Sequence, residues 1–155
     1  MFGFLKRKVR EIKAPVDGEV VSLSCVNDEV FSQKLVGDGV AIKPMSNIFT
    51  APIEGKVTKI FSTNHAYSIK SNKDLEVMVH IGLDTVELNG AGFDRLVKEG
   101  DHVTAGEPII KVDMSVLQQA KDTITPIIIS DGSDFKKIEK KLNIVKMGDT
   151  IMEVE

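Results

Sequence analysis

The sequence predicts an all-β protein, a single-domain antiparallel β-sandwich of Greek-key or jelly-roll-like character with short helical segments. Three observations carry that expectation. From Pro15 onward, Val, Ile and Leu alternate with polar residues in short runs such as "GEVVSLSC", "GKVTKIFS", "LEVMVHIG" and "EPIIKVD", divided by Gly, Asp and Asn; this is the pattern of half-buried strands. Two segments are echoed: "APVDGEVVSL" at 14–23 returns as "APIEGKVTKI" at 51–60, and "VKEGDHVTAGEPIIKVD" at 97–113 is answered by "VKMGDTIMEVE" at the C-terminus. In each echo a proline or glycine punctuates a hairpin, the glycine allowing a tight turn before an alternating strand. Finally, 155 residues suffice for one well-buried core.

Taken in order, residues 1–11 read as a flexible basic and apolar tail, and residues 12–155 as the folded domain. The stretch "MFGFLKRKVREIK" carries a charge of +4, which leaves −7 in the remainder of a chain whose net charge is −3. As a helix the tail would present an apolar side to lipid and a cationic side to anionic headgroups, a weak membrane-surface contact; otherwise it is a solvated terminus. The acidic body argues against nucleic acid and for a basic partner. Within it, "MSVLQQAK" has helical spacing through Met114, Leu117 and Gln118 or Lys121, while "SDFKKIEKKL" fits a short helix or an edge strand. A lone Cys25 permits no internal disulfide, favours a reducing compartment and is read as a small strand residue. No apolar run approaches the ~20 residues of a membrane span, and no signal peptide is evident, so a cytoplasmic protein is expected.

The echoed turn-and-strand units are similar to those of biotinyl or lipoyl carrier domains. The lysine such carriers modify is not matched, because Lys146 in "IVKMGD" sits inside the repeated turn itself.

Chemistry-bearing residues are few, and two of the three histidines fall in "STNHAYSIKSNKDLEVMVHIGLDTVEL". On a strand, residues two apart share a face, so Thr63, His65 and Tyr67 are expected to line one side, with Thr63 placed to orient His65. In "LEVMVHIGL", Leu75, Val77, Val79 and Ile81 are expected to point into the core and Glu76, Met78 and His80 outward. Were the two strands antiparallel neighbours, both imidazoles would address one small anion. His102, in "EGDHVTAG", is expected in an exposed turn. A pair of imidazoles suits metal binding, acid–base work or covalent catalysis by a ring nitrogen. A catalytic zinc needs a third ligand that the spacing does not supply, and no nucleophile elbow, phosphate-cradling loop or dinucleotide fingerprint is present; "VGDGVAIKP" lacks the P-loop's ending.

"VFSQKLVGDGVAIKP" at 30–44, "TNHAYSI" at 63–69 and "VHIGLDTVELNGAGF" at 79–93 resemble the glucose-family enzyme IIA of the bacterial phosphoenolpyruvate-dependent sugar phosphotransferase system, and the resemblance runs from Ile12 to Glu155. It implies a phosphoryl relay, in which a phosphohistidine on the carrier protein HPr gives its group to this domain and the domain hands it to a cysteine on the enzyme IIB domain of a sugar permease. By motif, His80 matches the phosphoacceptor through Nε2, His65 the second histidine that helps hold the phosphoryl group, Thr63 the hydroxyl that orients it, and Gly82 the carbonyl that receives the Nδ1 hydrogen of His80.

The resemblance also implies a partner surface: Val30, Phe31, Leu35, Val36, Phe61 and Met78 as an apolar depression, with Asp28 and Asp84 as acidic positions at its edge. Glu29 stands where the family is often apolar. No cofactor is required on this reading; zinc enters only as a bridge between His65, His80 and a partner's carboxylate. With no IIB or IIC domain in the chain, a stand-alone subunit is expected. Some members of the family also bind and inhibit permeases or kinases when unphosphorylated, so a mainly regulatory role is the alternative reading.

Overall fold

A computed structural model describes residues 9–72, 75–130 and 135–155; the tail ahead of Val9, and with it most of the membrane-contact expectation, lies outside the described residues. In chain order, β1 (Arg10–Lys13) and β2 (Gly18–Ser22) lead through a 3-10 turn (Leu23–Cys25) to the one-turn helix α1 (Glu29–Ser32). β3 (Asp38–Pro44), β4 (Ile48–Thr50), β5 (Gly55–Ile60), β6 (Ala66–Lys70) and β7 (Glu76–His80) follow. A second 3-10 turn (Thr85–Leu88) precedes β8 (Phe93–Arg95), β9 (His102–Val103) and β10 (Pro108–Val112), and a short α2 (Met114–Leu117) precedes β11 (Thr125–Ser130), β12 (Ile138–Lys140), β13 (Ile144–Val145) and β14 (Thr150–Val154).

The strands form an eight-stranded sheet in the order β13-β2-β3-β11-β7-β6-β5-β9 and two three-stranded sheets, β1-β14-β12 and β4-β10-β8. The pairings within all three are antiparallel. The predicted antiparallel β-sandwich is therefore the observed fold. No helix among the described residues is long and apolar enough to cross a membrane.

Alternation along the central strands divides the core in two. Val40, Ile42, Val77, Val79, Ile127 and Ile129 enter the larger cluster with Phe49, Tyr67 and Ile109. Their neighbours Ala41, Ile128 and half-buried Met78 enter a second cluster with Leu23, Val26, Phe31, Leu83 and Ile124. Because successive strand residues point to opposite faces, the two clusters lie on opposite sides of the large sheet. That explains "TPIIIS", a strand buried through Ile129 rather than alternating with solvent, since both its faces are covered. Each such aliphatic side chain contributes roughly 1.5–3 kcal/mol by leaving water. In β7 the expected division holds: Leu75, Val77, Val79 and Ile81 are buried, while Glu76, Met78 and His80 keep partial exposure on the other face.

The sequence echoes correspond to a duplicated framework. Lys13 N–H donates to the Pro52 carbonyl and Thr50 N–H to that of Pro15, a reciprocal exchange between the two proline segments. Gly18 and Gly55, expected to permit tight turns, open strands instead: a Cβ on either would lie 2.2 Å from the carbonyl oxygen of Lys43 or Lys70 on the adjoining strand. Glycine is there to let two backbones approach. The turn expectation does hold at Gly100 and Gly148, with φ of +95° and +94°.

Several local expectations are corrected. Arg10 and Glu11, assigned to the tail, pair with Val154 and Glu153 as the start of β1. Cys25 lies in the exposed end of a 3-10 turn rather than on a strand, because Ser22 accepts the Ser24 N–H and ends the extended run. The helix at "MSVLQQAK" is a single turn capped by Asp113, and the alternative edge-strand reading of "SDFKKIEKKL" is the observed one in β12. His102 is exposed as expected, but on the two-residue strand β9, beside Glu54 at 3.2 Å.

Candidate functional site

His80 is the last residue of β7, and the sheet register sets Ala66 opposite it. It shares its face with Met78 and therefore lies over the second cluster, where the Phe31 ring sits 5.1 Å from its own. The chain then turns sharply at Gly82, whose φ is +74° and whose Cβ, were there one, would meet the Thr85 methyl at 2.7 Å and the Asp122 carbonyl at 3.0 Å. Buried Thr85 donates its hydroxyl to the Ile81 carbonyl at 2.6 Å and ties this turn down. The result is a carbonyl aimed back at the ring: His80 Nδ1–H donates to Gly82 O at 2.8 Å. A carbonyl only accepts, so the hydrogen belongs on Nδ1 and Nε2 keeps its lone pair.

His65 arrives by another route. It was expected on a strand with Thr63 and Tyr67, but β6 begins at Ala66, and Thr63 and His65 belong to the turn that joins β5 to β6. Asn64 makes the bend in the left-handed region, with φ +60°. Tyr67 is fully buried away from the histidines, its hydroxyl donating to Thr50 O at 2.6 Å. That carbonyl stands opposite Pro108, which has no N–H to offer. The expected pairing nevertheless forms: Thr63 Oγ1 and His65 Nδ1 are 2.5 Å apart. The His65 carbonyl accepts the Ile81 N–H at 2.7 Å, which locks its backbone to β7. The two imidazole centroids are 5.0 Å apart with planes at 76°, and Phe61 stands edge-on to His65 at 5.3 Å.

Burial lowers the pKa of both rings. His65 falls from 6.5 to about 4, first through desolvation and then through the neighbouring His80. His80 is lowered by desolvation, opposed by the Gly82 hydrogen bond and by the negative charges of Asp28 and Asp84. Both imidazoles are thus neutral near pH 7, and a neutral ring nitrogen is a nucleophile.

Around them, the proposed apolar rim divides. Phe31 is buried and packs as the floor under His80, whereas Val30, Leu35 and Val36 are exposed on α1 and the segment after it. Phe61 and Met78 are half-buried. Asp28 is also the N-cap of α1, accepting the Val30 N–H at 2.9 Å, and Asp84 is exposed with a left-handed φ of 56°. Two imidazoles make two metal ligands. Among the described residues no group of three or more His, Cys, Asp or Glu converges on a metal position, so a tetrahedral zinc here would take its remaining ligands from a partner or from water.

The chain matches the model of a family described as the phosphoenolpyruvate-dependent sugar phosphotransferase system, EIIA 1, over residues 10–135. The chain belongs to this family. Its general role is accordingly phosphoryl transfer within that system. Among relatives, it is 49% identical over 145 residues to the glucose-specific EIIA component of Buchnera aphidicola, with 93% of this chain and 86% of the relative covered. It is 43% identical over 155 residues to that of Haemophilus influenzae, covering 98% and 93%. It also matches, at 46% identity, 20% of the length of an N-acetylglucosamine-specific EIICBA component of Escherichia coli, with 82% of this chain covered. The solved glucose permease IIA from Mycoplasma capricolum superposes with a TM-score of 0.90 at 38% identity, covering 97% of this chain and 99% of that one.

Two residues that hydrogen-bond beside His65 are not singled out by sequence reading. Asn64 donates its side-chain amide to Phe93 O at 3.1 Å and accepts Arg95 Nε–H at 2.9 Å, and Arg95 Nη2 donates to Phe61 O at 3.4 Å. The one available signal was Asn inside "STNHA", since Asn tolerates the left-handed conformation better than other residues that carry a Cβ.

Proposed function

We propose that this protein is a histidine phosphocarrier, taking a phosphoryl group from the phosphohistidine of HPr onto His80 Nε2 and passing it to the cysteine of an enzyme IIB domain during sugar uptake and phosphorylation. The single observation that carries the reading is the hydrogen bond from His80 Nδ1–H to Gly82 O, which leaves Nε2 as the free, nucleophilic nitrogen on a half-buried neutral ring. In acceptance, the Nε2 lone pair forms a P–N bond as the donor's P–N bond breaks and its electron pair returns to the donor imidazole. In delivery, a partner thiolate forms the P–S bond and the pair returns to Nε2. Exchange between like nitrogens is close to balanced, as a reversible carrier requires.

His65 has the complementary task. With the Thr63 hydroxyl donating to Nδ1, the hydrogen sits on Nε2, from which it is donated to a phosphoryl oxygen; placed donors of this kind stabilise the charge spread over the transferring group. Val30, Leu35, Val36, Phe61 and Met78 would offer apolar contact to both partners, and Asp28 and Asp84 would attract basic side chains on HPr. Fusion of the matching segment into an EIICBA component in Escherichia coli supports a sugar permease as the second partner. The reading places the chain in the cytoplasm.

The test is intact mass after incubation with phosphoenolpyruvate, enzyme I and HPr. A gain of about 80 Da, one HPO3, is expected on wild type and is absent from His80→Ala. No gain on wild type with active reagents would overturn the relay and leave the regulatory binding role.

A further inference from the structure

The geometry points to Asn64 and Arg95 as positioning residues for phosphoryl transfer: they clamp the Phe61–His65 turn so that the Thr63 hydroxyl meets His65 Nδ1 as donor and the ring hydrogen stays on Nε2. The inference rests on the phosphocarrier reading and deepens it.

The sheet alone does not fix this contact. His65's own backbone is held by Ile81 N–H, and the start of β6 by the bond from Phe61 N–H to Ala66 O. Those bonds leave Thr63 at the apex of the turn, without a ladder partner among the bonds described. What braces the apex comes from another sheet. Phe93 and Arg95 lie on β8, paired with Val112 and Ile110 of β10, and both reach Asn64, one through its carbonyl and the other through its guanidinium. Asn64 closes the turn from within, its N–H donating to Phe61 O at 2.7 Å. Arg95 takes hold of the same Phe61 carbonyl from outside. The amide and guanidinium thus tie the Phe61 end of the turn and its bend at Asn64 to β8, while the residues flanking Asn64, Thr63 and His65, bond to each other.

The chemistry explains why a clamp is needed at one histidine and not the other. A hydroxyl held against Nδ1 donates to it and leaves the ring hydrogen on Nε2, whereas a Thr63 that drifts away takes that donor with it and frees His65 to adopt the other tautomer, which turns a lone pair rather than an N–H toward the phosphoryl oxygens. Displacing a positioned group by about 1 Å costs up to roughly a hundredfold in rate.

The experiment combines long-range 1H–15N correlation of the imidazoles with phosphoryl transfer from HPr and onward to an enzyme IIB domain, on full-length wild type, Asn64→Ala, Asn64→Gly, Arg95→Ala and Arg95→Lys. Wild type is expected to hold His65 as the Nε2–H tautomer. Asn64→Ala and Arg95→Ala are expected to show mixed tautomers and transfer slowed roughly ten- to a hundredfold, with Arg95→Lys between Arg95→Ala and wild type. Asn64→Gly is the decisive variant, because it keeps the left-handed backbone and removes only the side-chain bonds. Behaviour like that of Asn64→Ala supports the clamp. Wild-type tautomer and rate in Asn64→Gly, or an Nδ1–H tautomer in wild type, would overturn it. Failure of wild type to accept phosphoryl at all would overturn the relay reading instead, while the tautomer comparison still decides the clamp.

Discussion

His80 ends a strand inside the eight-stranded sheet and gives its Nδ1–H to the backbone carbonyl of Gly82, whereas His65 sits on a turn beside it and shares its Nδ1 with the side-chain hydroxyl of Thr63. The difference is one of hydrogen-bonding capacity. A carbonyl accepts and nothing else, so His80 has one tautomer, built into the backbone. A hydroxyl works both ways, so the state of His65 depends on side chains that hold its turn. The proposed nucleophile is thus held by the more rigid device and the proposed helper by the more adjustable one. Both rings share the cost of leaving water, which keeps them neutral where a solvated histidine would begin to protonate.

The comparison breaks most completely at the rings themselves. His65→Ala is expected to keep the mass gain that His80→Ala loses, yet to deliver the group to enzyme IIB roughly 10²–10³-fold more slowly, the scale of a lost transition-state donor; equal delivery by His65→Ala in single-turnover measurements would remove its helper role. Next in size, Gly82→Ala attacks the backbone device. Its new methyl would collide with Thr85 and Asp122 O at a φ of +74°, so a stability loss of about 1–3 kcal/mol by denaturant titration is expected, together with a fall in acceptance. Thr63 is the matching change on the other side. Thr63→Val is expected to slow delivery roughly ten- to a hundredfold while sparing acceptance, and Thr63→Ser to restore it.

A pH series sharpens the comparison without mutation. Both histidines have folded pKa values below their unfolded ones, so the unfolded chain binds more protons below pH 6.5. Their contribution to stability is therefore complete above 6.5 and is lost as the pH falls, for His65 through the window from 6.5 to about 4. Thermal melts should show that slope in wild type and a shallower one in His65→Gln; identical slopes would contradict the lowered pKa. The smallest effect is expected at the rim. Asp28→Asn with Asp84→Asn should slow association with HPr and flatten its salt dependence, leaving single-turnover chemistry unchanged. Asn retains the capping oxygen that Asp28 supplies to Val30, so a change there reports on charge.

How far the site was legible follows from which signals are periodic. The face assignments in β7 came directly from alternation, and His80 is outward for that reason. The Thr63–His65 pair was expected, but on the ground of strand spacing; the contact is instead made across a left-handed Asn64, and the third member of that supposed face, Tyr67, turned inward to serve Thr50. Gly18 and Gly55 were visible as glycines, while the approaching carbonyls that require them lie about 25 and 15 residues further along the chain. Arg95 left no signal, because its partner Asn64 is 31 residues away and nothing in the local pattern joins them.

The class of fold, the two faces of β7, the lack of any internal disulfide in a chain with one cysteine and, through the histidine motifs, the family are all legible in the sequence. Those properties are set by neighbours one to four residues apart, where covalent geometry dictates which side chains share a face. Only the tertiary structure decided that β6 and β7 lie side by side with Ala66 opposite His80, that the rings meet at 5.0 Å, and that a strand of another sheet braces the turn bearing His65. Register and long-range hydrogen bonds depend on how the whole chain satisfies its backbone groups and buries its apolar faces at once, and a period of two cannot specify which strand becomes the neighbour.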